Sequence, residues 1–179
     1  MLERNNTGLI VVDIQGKLSH LVHNSEVMFR NVAKLIKGSS LLELPVIVLE
    51  QNPEKLGKTA EEIQPLLANY PCITKYAFNG CADPHFVDQV NKANVQHWLV
   101  CGIEAHVCVY QTAMGLKRMG KSIELVVDCI GSREDSNKLV AISKLQKHDV
   151  GITTAEMCLF ELMKDCREPK FTSFLDIVR

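Results

Sequence analysis

The chain has 179 residues, 46% of them hydrophobic and 23% charged, with a net charge of −1; these values suit one globular domain over 1–179 with a sizeable core. So balanced a charge gives no electrostatic footprint for nucleic acid or an anionic membrane, and no apolar run reaches the length of a membrane span. Seven cysteines without a Cys-x-x-Cys or a zinc-type Cys/His spacing point to free thiols in a reducing, cytoplasmic setting, with no metal and no cofactor expected.

Strands and helices alternate along the chain. Gly8-Leu-Ile-Val-Val-Asp13 is an apolar strand ending in a carboxylate, followed by a helical pattern from about Ser25 to Leu42. Pro45–Glu50 is the second strand, Thr59–Leu67 a short helix, and Cys72–Lys75 a third, short strand. Asp83-Pro84 opens a helix, with Asp as its cap and Pro in its first turn. His97–Cys101 is the fourth strand, broken by Gly102, and a helix-period pattern then runs to about Gly120. Ile123–Asp128 is the fifth strand, Asp135–Lys147 a helix, and Val150–Thr153 the sixth strand. Thr153-Thr-Ala-Glu156 reads as a capping box for the next helix. Pro169–Arg179 is a tail with room for a short helix.

Six apolar strands alternating with helices argue for an α/β fold: a Rossmann-like three-layer α/β/α arrangement around a six-stranded, mostly parallel sheet. Ligands in such sheets bind beyond the carboxyl ends of the strands. Polar residues at those ends are the candidates: Asp13, Glu50, Gln51, Lys75, Glu104, Cys108 and Asp128. The turn after Asp13 lacks G-x-G-x-x-G, and neither a P-loop nor a G-x-S-x-G elbow occurs.

Cys108 falls in the first turn of the helix that follows the fourth strand. Free N–H groups and the helix dipole favour a thiolate there, so an activated thiol is expected to titrate well below the free value of about 8.5. His106 lies two residues away, a spacing that does not face Cys108 on a helix, and it reads as lining the pocket mouth or facing a neighbouring subunit. His20 and His23 read as solvated.

Three segments occur together in one order: Val11-Val12-Asp13-Ile-Gln15, Lys75-Tyr-Ala-Phe78, and Gly102-Ile-Glu-Ala-His-Val-Cys108-Val109. In these the chain resembles the isochorismatase-like cysteine hydrolase superfamily, which includes nicotinamidases and N-carbamoylsarcosine amidohydrolase. The resemblance covers about Gly8 to Lys164. It implies a catalytic triad of Asp13, Lys75 and Cys108, and a non-proline cis peptide at Ile103–Glu104. The amides of Glu104 and Cys108 would then face a developing oxyanion. It implies acyl transfer to Cys108 through a thioester, on a small carbonyl or amide substrate, with Gln15, Gln51, Phe78 and His106 at the substrate. The metal motif of nicotinamidases is replaced by Glu50-Gln51-Asn52-Pro53, and Cys108 argues against the vinyl ether chemistry of isochorismatases proper. The other readings are a catalytically silent oligomeric binding or scaffold domain and a thiol redox sensor. The resemblance also implies a homo-oligomer, dimeric or higher. The Cys108 helix and the tail segment Phe171–Val178 are possible interfaces, with intrachain packing favoured for the helix.

Overall fold

A computed structural model describes residues 1–179. In chain order the elements are β1 (Thr7–Val12), α1 (Leu18–Leu21), α2 (Ser25–Leu41), β2 (Val46–Gln51), α3 (Pro53–Leu56), α4 (Gln64–Leu67) and β3 (Cys72–Lys75). They continue with α5 (Pro84–Lys92), β4 (His97–Ile103), α6 (Tyr110–Arg118), β5 (Ser122–Gly131), α7 (Asp135–Gln146), β6 (Gly151–Thr153), α8 (Ala155–Met163) and α9 (Phe171–Val178).

The six strands form one sheet in the order β3-β2-β1-β4-β5-β6, with every pairing parallel. Both faces are covered, which is why the strands read as continuous apolar runs. Successive side chains still point to opposite faces. Leu9, Val11, Val46 and Val48 join a core of 29 residues under α2, α8 and α9. Ile10, Val12, Ile47 and Leu49 join a second core of 21 residues under α5, α6 and α7. The order reverses between β1 and β4: β2 and β3 lie to one side of β1, β5 and β6 to the other side of β4. Connections leaving those two strands part in opposite directions, and the crevice between them is where this architecture holds ligands. No helix is long and apolar enough to cross a membrane.

Some expectations from the sequence need correction. Gly102 does not end β4: the strand runs on to Ile103, with Gly102 at φ +124°. Its partner across the ladder is Val12, and a Cβ on Gly102 would lie 2.0 Å from the Val12 carbonyl oxygen. The glycine thus serves close approach of β4 to β1 beside the crevice. Gly102→Ala is expected to cost about 3 kcal/mol or more, from forbidden backbone geometry plus overpacking; urea denaturation checks this, and a loss under about 0.5 kcal/mol, the size of an ordinary surface change, would contradict it.

The expected helix over Thr59–Leu67 shortens to Gln64–Leu67, because Thr59 pairs with Gln15 instead. The cap of α8 is Thr154, whose side chain accepts the Met157 N–H; Thr153 ends β6, so the Thr153–Glu156 capping box does not form. The tail is packed within the chain: Phe174 of α9 is fully buried and meets Phe160 edge-on at 4.9 Å.

Candidate active site

The crevice gathers residues from three strand ends. Asp13 follows β1 in a left-handed turn at φ 52°, a conformation that Asp tolerates better than most side chains. Lys75 ends β3, two strands from β1, and its long stem spans the intervening β2. There Lys75 Nζ donates to Gln51 Oε1 at 2.7 Å and to Asp13 Oδ2 at 2.7 Å, with a longer bond to the Ala77 carbonyl at 3.3 Å. Lys75 is 0% exposed and Asp13 6%. A lysine buried so completely is tolerable only with its charge paired and its N–H groups bonded, as they are here.

Cys108 enters from β4 through a short irregular turn. Residues Ala105–Val109 form a π-helical turn before α6 begins at Tyr110. The Glu104 carbonyl accepts from both Val107 N–H and Val109 N–H, the second bond being the wide i→i+5 link of a π turn. This widened turn carries Cys108, 7% exposed, to the crevice. Asp13 Oδ1 is buried and has no hydrogen-bond partner, yet Asp13 and Cys108 lie close enough for each to shift the other's titration.

The titration of Cys108 runs opposite to the expectation from its place in the chain. Its thiol is pushed up to about 12, first by burial and then by the Asp13 charge, which together outweigh Lys75. Burial likewise holds the Asp13 carboxyl above the ordinary carboxylate range despite Lys75 beside it. The first shift favours a protonated resting thiol over a standing thiolate, and the second makes Asp13 a stronger acceptor for its proton. A π turn at the head of the helix does not overcome the desolvation of the sulfur.

A cavity of about 110 Å³ opens on Cys108. Its polar wall is Asp13, Gln15, Gln51, Glu104 and Cys108; its apolar wall is Leu18, Leu56, Phe78, Ile103 and Val107. Gln15 and Gln51 are mutually fixed: Gln51 N–H donates to Gln15 Oε1 at 2.6 Å, and Gln15 Nε2 donates to the carbonyls of Gln51 and Gly57. The Ile103–Glu104 peptide is cis. The Glu104 N–H donates to no carbonyl or side chain. The Glu104 carboxylate accepts from Arg133 N–H, Nε and Nη2; although burial opposes it, Arg133 holds this carboxyl below its ordinary value.

Other candidates lie elsewhere. His106 is not in the cavity wall; its Nδ1 sits 3.0 Å from Ser132 Oγ. Glu50 takes the Thr59 N–H and hydroxyl, and Asp128 takes the Ala155 N–H, so both fasten neighbouring segments. His20 and His23 are half exposed beside Glu62 and Asp135. Leu18, Leu56, Val107 and Arg133 were not singled out from sequence. For Arg133 the signal was its place just past β5 at the carboxyl edge of the sheet; for the apolar three there was none. A larger, open groove of about 770 Å³ beside the crevice carries charges of both signs, from Lys17, Lys58, Glu61 and Glu62, and contains none of Asp13, Lys75 and Cys108. No group of three or more His, Cys, Asp or Glu side chains is arranged to hold a metal ion.

Comparison with known proteins gives a consistent assignment. The isochorismatase domain model matches residues 7–157. Isochorismatase domain-containing protein 2 of Bos taurus is 30% identical over 172 residues, spanning 96% of this chain and 82% of that protein. A solved structure described as MAR1 ribonuclease from Caenorhabditis elegans superposes with a TM-score of 0.93 at 31% identity, covering 99% of this chain and 91% of that one. An octameric hydrolase of unknown specificity from Escherichia coli superposes with a TM-score of 0.91 at 21% identity, covering 97% and 86%, and shares the fold.

Proposed function

The chain belongs to the isochorismatase family, whose hydrolase fold it carries, and we propose that it is a cysteine hydrolase that cleaves a small carbonyl compound, an amide in the first instance, through a thioester on Cys108. One observation supports this reading: Asp13 is held by Lys75 through Oδ2 at 2.7 Å, keeps a buried Oδ1 free of other bonds, and lies close enough to Cys108 for each group to shift the other's titration.

In the first step the Cys108 sulfur attacks the carbonyl carbon as its proton passes to Asp13. The carbonyl oxygen gains the negative charge, and the N–H groups of Glu104 and Cys108 are the donors assigned to it. Collapse of the tetrahedral adduct breaks the C–N bond, and Asp13 returns the proton to the departing amine. Water then attacks the thioester, giving one proton to Asp13 and from there to the sulfur, which leaves as the restored thiol. Two modest barriers replace one high one. Lys75 fixes the orientation of Asp13 and limits the charge that the buried carboxylate would otherwise carry alone. The protein's seven unpaired cysteines suit a reducing compartment, where such a thiol stays available.

The nematode relative carries the name of a ribonuclease. A phosphodiester brought to this crevice would meet the carboxylates of Asp13 and Glu104 in a chain of net charge −1, so the carbonyl reading is preferred.

The test is turnover of a panel of small amides and esters, with intact-protein mass measured during the reaction. Wild type is expected to form an acyl adduct on Cys108 and release product. Cys108→Ala is expected to be slower by about 10⁴-fold or more, as when a nucleophile is removed from a unit that acts together. Undiminished turnover in Cys108→Ala, or no adduct and no turnover across the panel, would overturn the reading; the second result would favour a binding or scaffold domain.

A further inference from the structure

The cavity narrows what the substrate is, and the following inference rests on the hydrolase reading above. Every charged side chain in its wall already has its countercharge: Asp13 has Lys75, and Glu104 has Arg133. The two amide side chains are spent as well, since Gln15 is bonded to Gln51 and Gly57, and Gln51 to Lys75 and Tyr76. No wall side chain thus carries an uncompensated charge for an ion to meet, and the one unbonded acceptor, Asp13 Oδ1, is the oxygen the hydrolase reading reserves for the thiol proton. The remaining walls are aliphatic or aromatic. A charged group carried into such a space loses its hydration and gains no partner, which is costly.

Size adds a second restriction. A cavity of about 110 Å³ is well below the roughly 300–1,000 Å³ of pockets that hold drug-sized ligands, and it suits a reacting group with a short chain. Leu56 and Phe78 are partly exposed, at 41% and 54%, and line the same cavity, which puts them at its mouth. The backbone that carries Leu56 is held in place. Its segment is tied by Gln15 Nε2 to the Gly57 carbonyl at 2.6 Å, and the backbone at Leu56 presses on Gly16, where a Cβ would lie 2.2 Å from the Leu56 carbonyl oxygen.

We propose that the substrate is an uncharged amide or ester of a short acyl group, and that Leu56 and Phe78 set its upper size. Carboxylate-bearing, ammonium-bearing and bulky aromatic substrates are excluded by the same walls.

The test uses three alkylating reagents of similar size but different charge: iodoacetamide, iodoacetate and 2-bromoethylamine. Labelling is followed by peptide mass spectrometry at Cys108 and, in the same sample, at exposed Cys166. The rate at Cys108 divided by that at Cys166 is expected to favour iodoacetamide by about tenfold or more over each charged reagent, reflecting the uncompensated charge. A bulky neutral reagent, iodoacetanilide, is expected to label wild-type Cys108 slowly. Leu56→Ala and Phe78→Ala should each raise its rate relative to iodoacetamide by about fivefold or more, as the wall side chain is removed. Equal normalised rates for neutral and charged reagents, or ratios unmoved by both variants, would overturn the substrate class while leaving Cys108 a reactive nucleophile. A Cys108 that resists all four reagents in every form would sink the hydrolase reading, and this inference with it.

Discussion

Lys75→Met is expected to lower stability by about 3–5 kcal/mol at neutral pH, the range for breaking a buried ion pair by removing one partner, and to abolish hydrolysis. Methionine keeps most of the apolar stem, so the loss isolates the ammonium. What is left is a carboxylate on Asp13, 6% exposed, with no countercharge and one fewer donor. The pH dependence follows from the sign of the Asp13 shift. Burial already raises that carboxyl, and Lys75 is the chief influence opposing it; without Lys75 it rises further. An acid whose folded value is raised favours folding fully below its unfolded value, about 3.9, and loses that contribution as pH rises through the folded value. The deficit of Lys75→Met should therefore shrink between pH 7 and pH 5. Asp13→Asn/Lys75→Met should recover part of the stability without restoring activity, because the unpaired charge is gone. Urea denaturation at both pH values reads all three forms. A deficit that grows on acidification, or a variant as stable as wild type at pH 7, would mean that the pair is not the buried, mutually dependent unit seen in the crevice.

The strand pattern made the sheet legible because each strand is buried on both faces, and the carboxyl-end rule then brought Asp13, Lys75 and Cys108 to one edge. The rule could not separate residues that meet from residues that merely share the edge. Glu50 and Asp128 ended strands as convincingly as Asp13, yet they bond Thr59 and Ala155. The difference lies in the segments that fold over them, and no periodicity encodes those contacts. The same holds for Leu18 and Leu56, which become cavity wall because Gln15 pairs with Thr59 and pulls the two segments together. Gly102 was legible as a special residue but not as one that lets a strand continue, since positive φ breaks most strands and here admits Val12 at close range. The state of the thiol is what chain position conveys least. Chain position indicates a helix start, whereas titration depends on burial and on the carboxylate across the crevice, and both are tertiary.

That state of the thiol leads to the second prediction. Iodoacetamide labelling of wild-type Cys108 should be nearly flat from pH 7 to pH 9, without the tenfold rise per pH unit that a free thiol shows below its value of about 8.5. With the thiol pushed up to about 12, the standing thiolate at neutral pH is too scarce to carry the reaction. Attack must generate the nucleophile by passing its proton to Asp13, so the rate does not follow the amount of standing thiolate. Asp13→Asn should then act in two directions. Hydrolysis should fall by about 10²–10⁴, the usual worth of a positioned general acid–base, because the leaving amine loses its proton source. The labelling profile should change shape, from flat to rising. The Asp13 charge no longer holds the thiol up and no carboxylate remains to take its proton, so labelling must draw on the thiolate that Lys75 still favours, whose amount rises with pH. A residue that only supported the fold would lower both rates without altering the profile. If wild-type labelling instead climbs through pH 8.5 and hydrolysis survives Asp13→Asn, the reacting species is a preformed thiolate held by Lys75. The assignment of Asp13 as the proton carrier would then have to be abandoned.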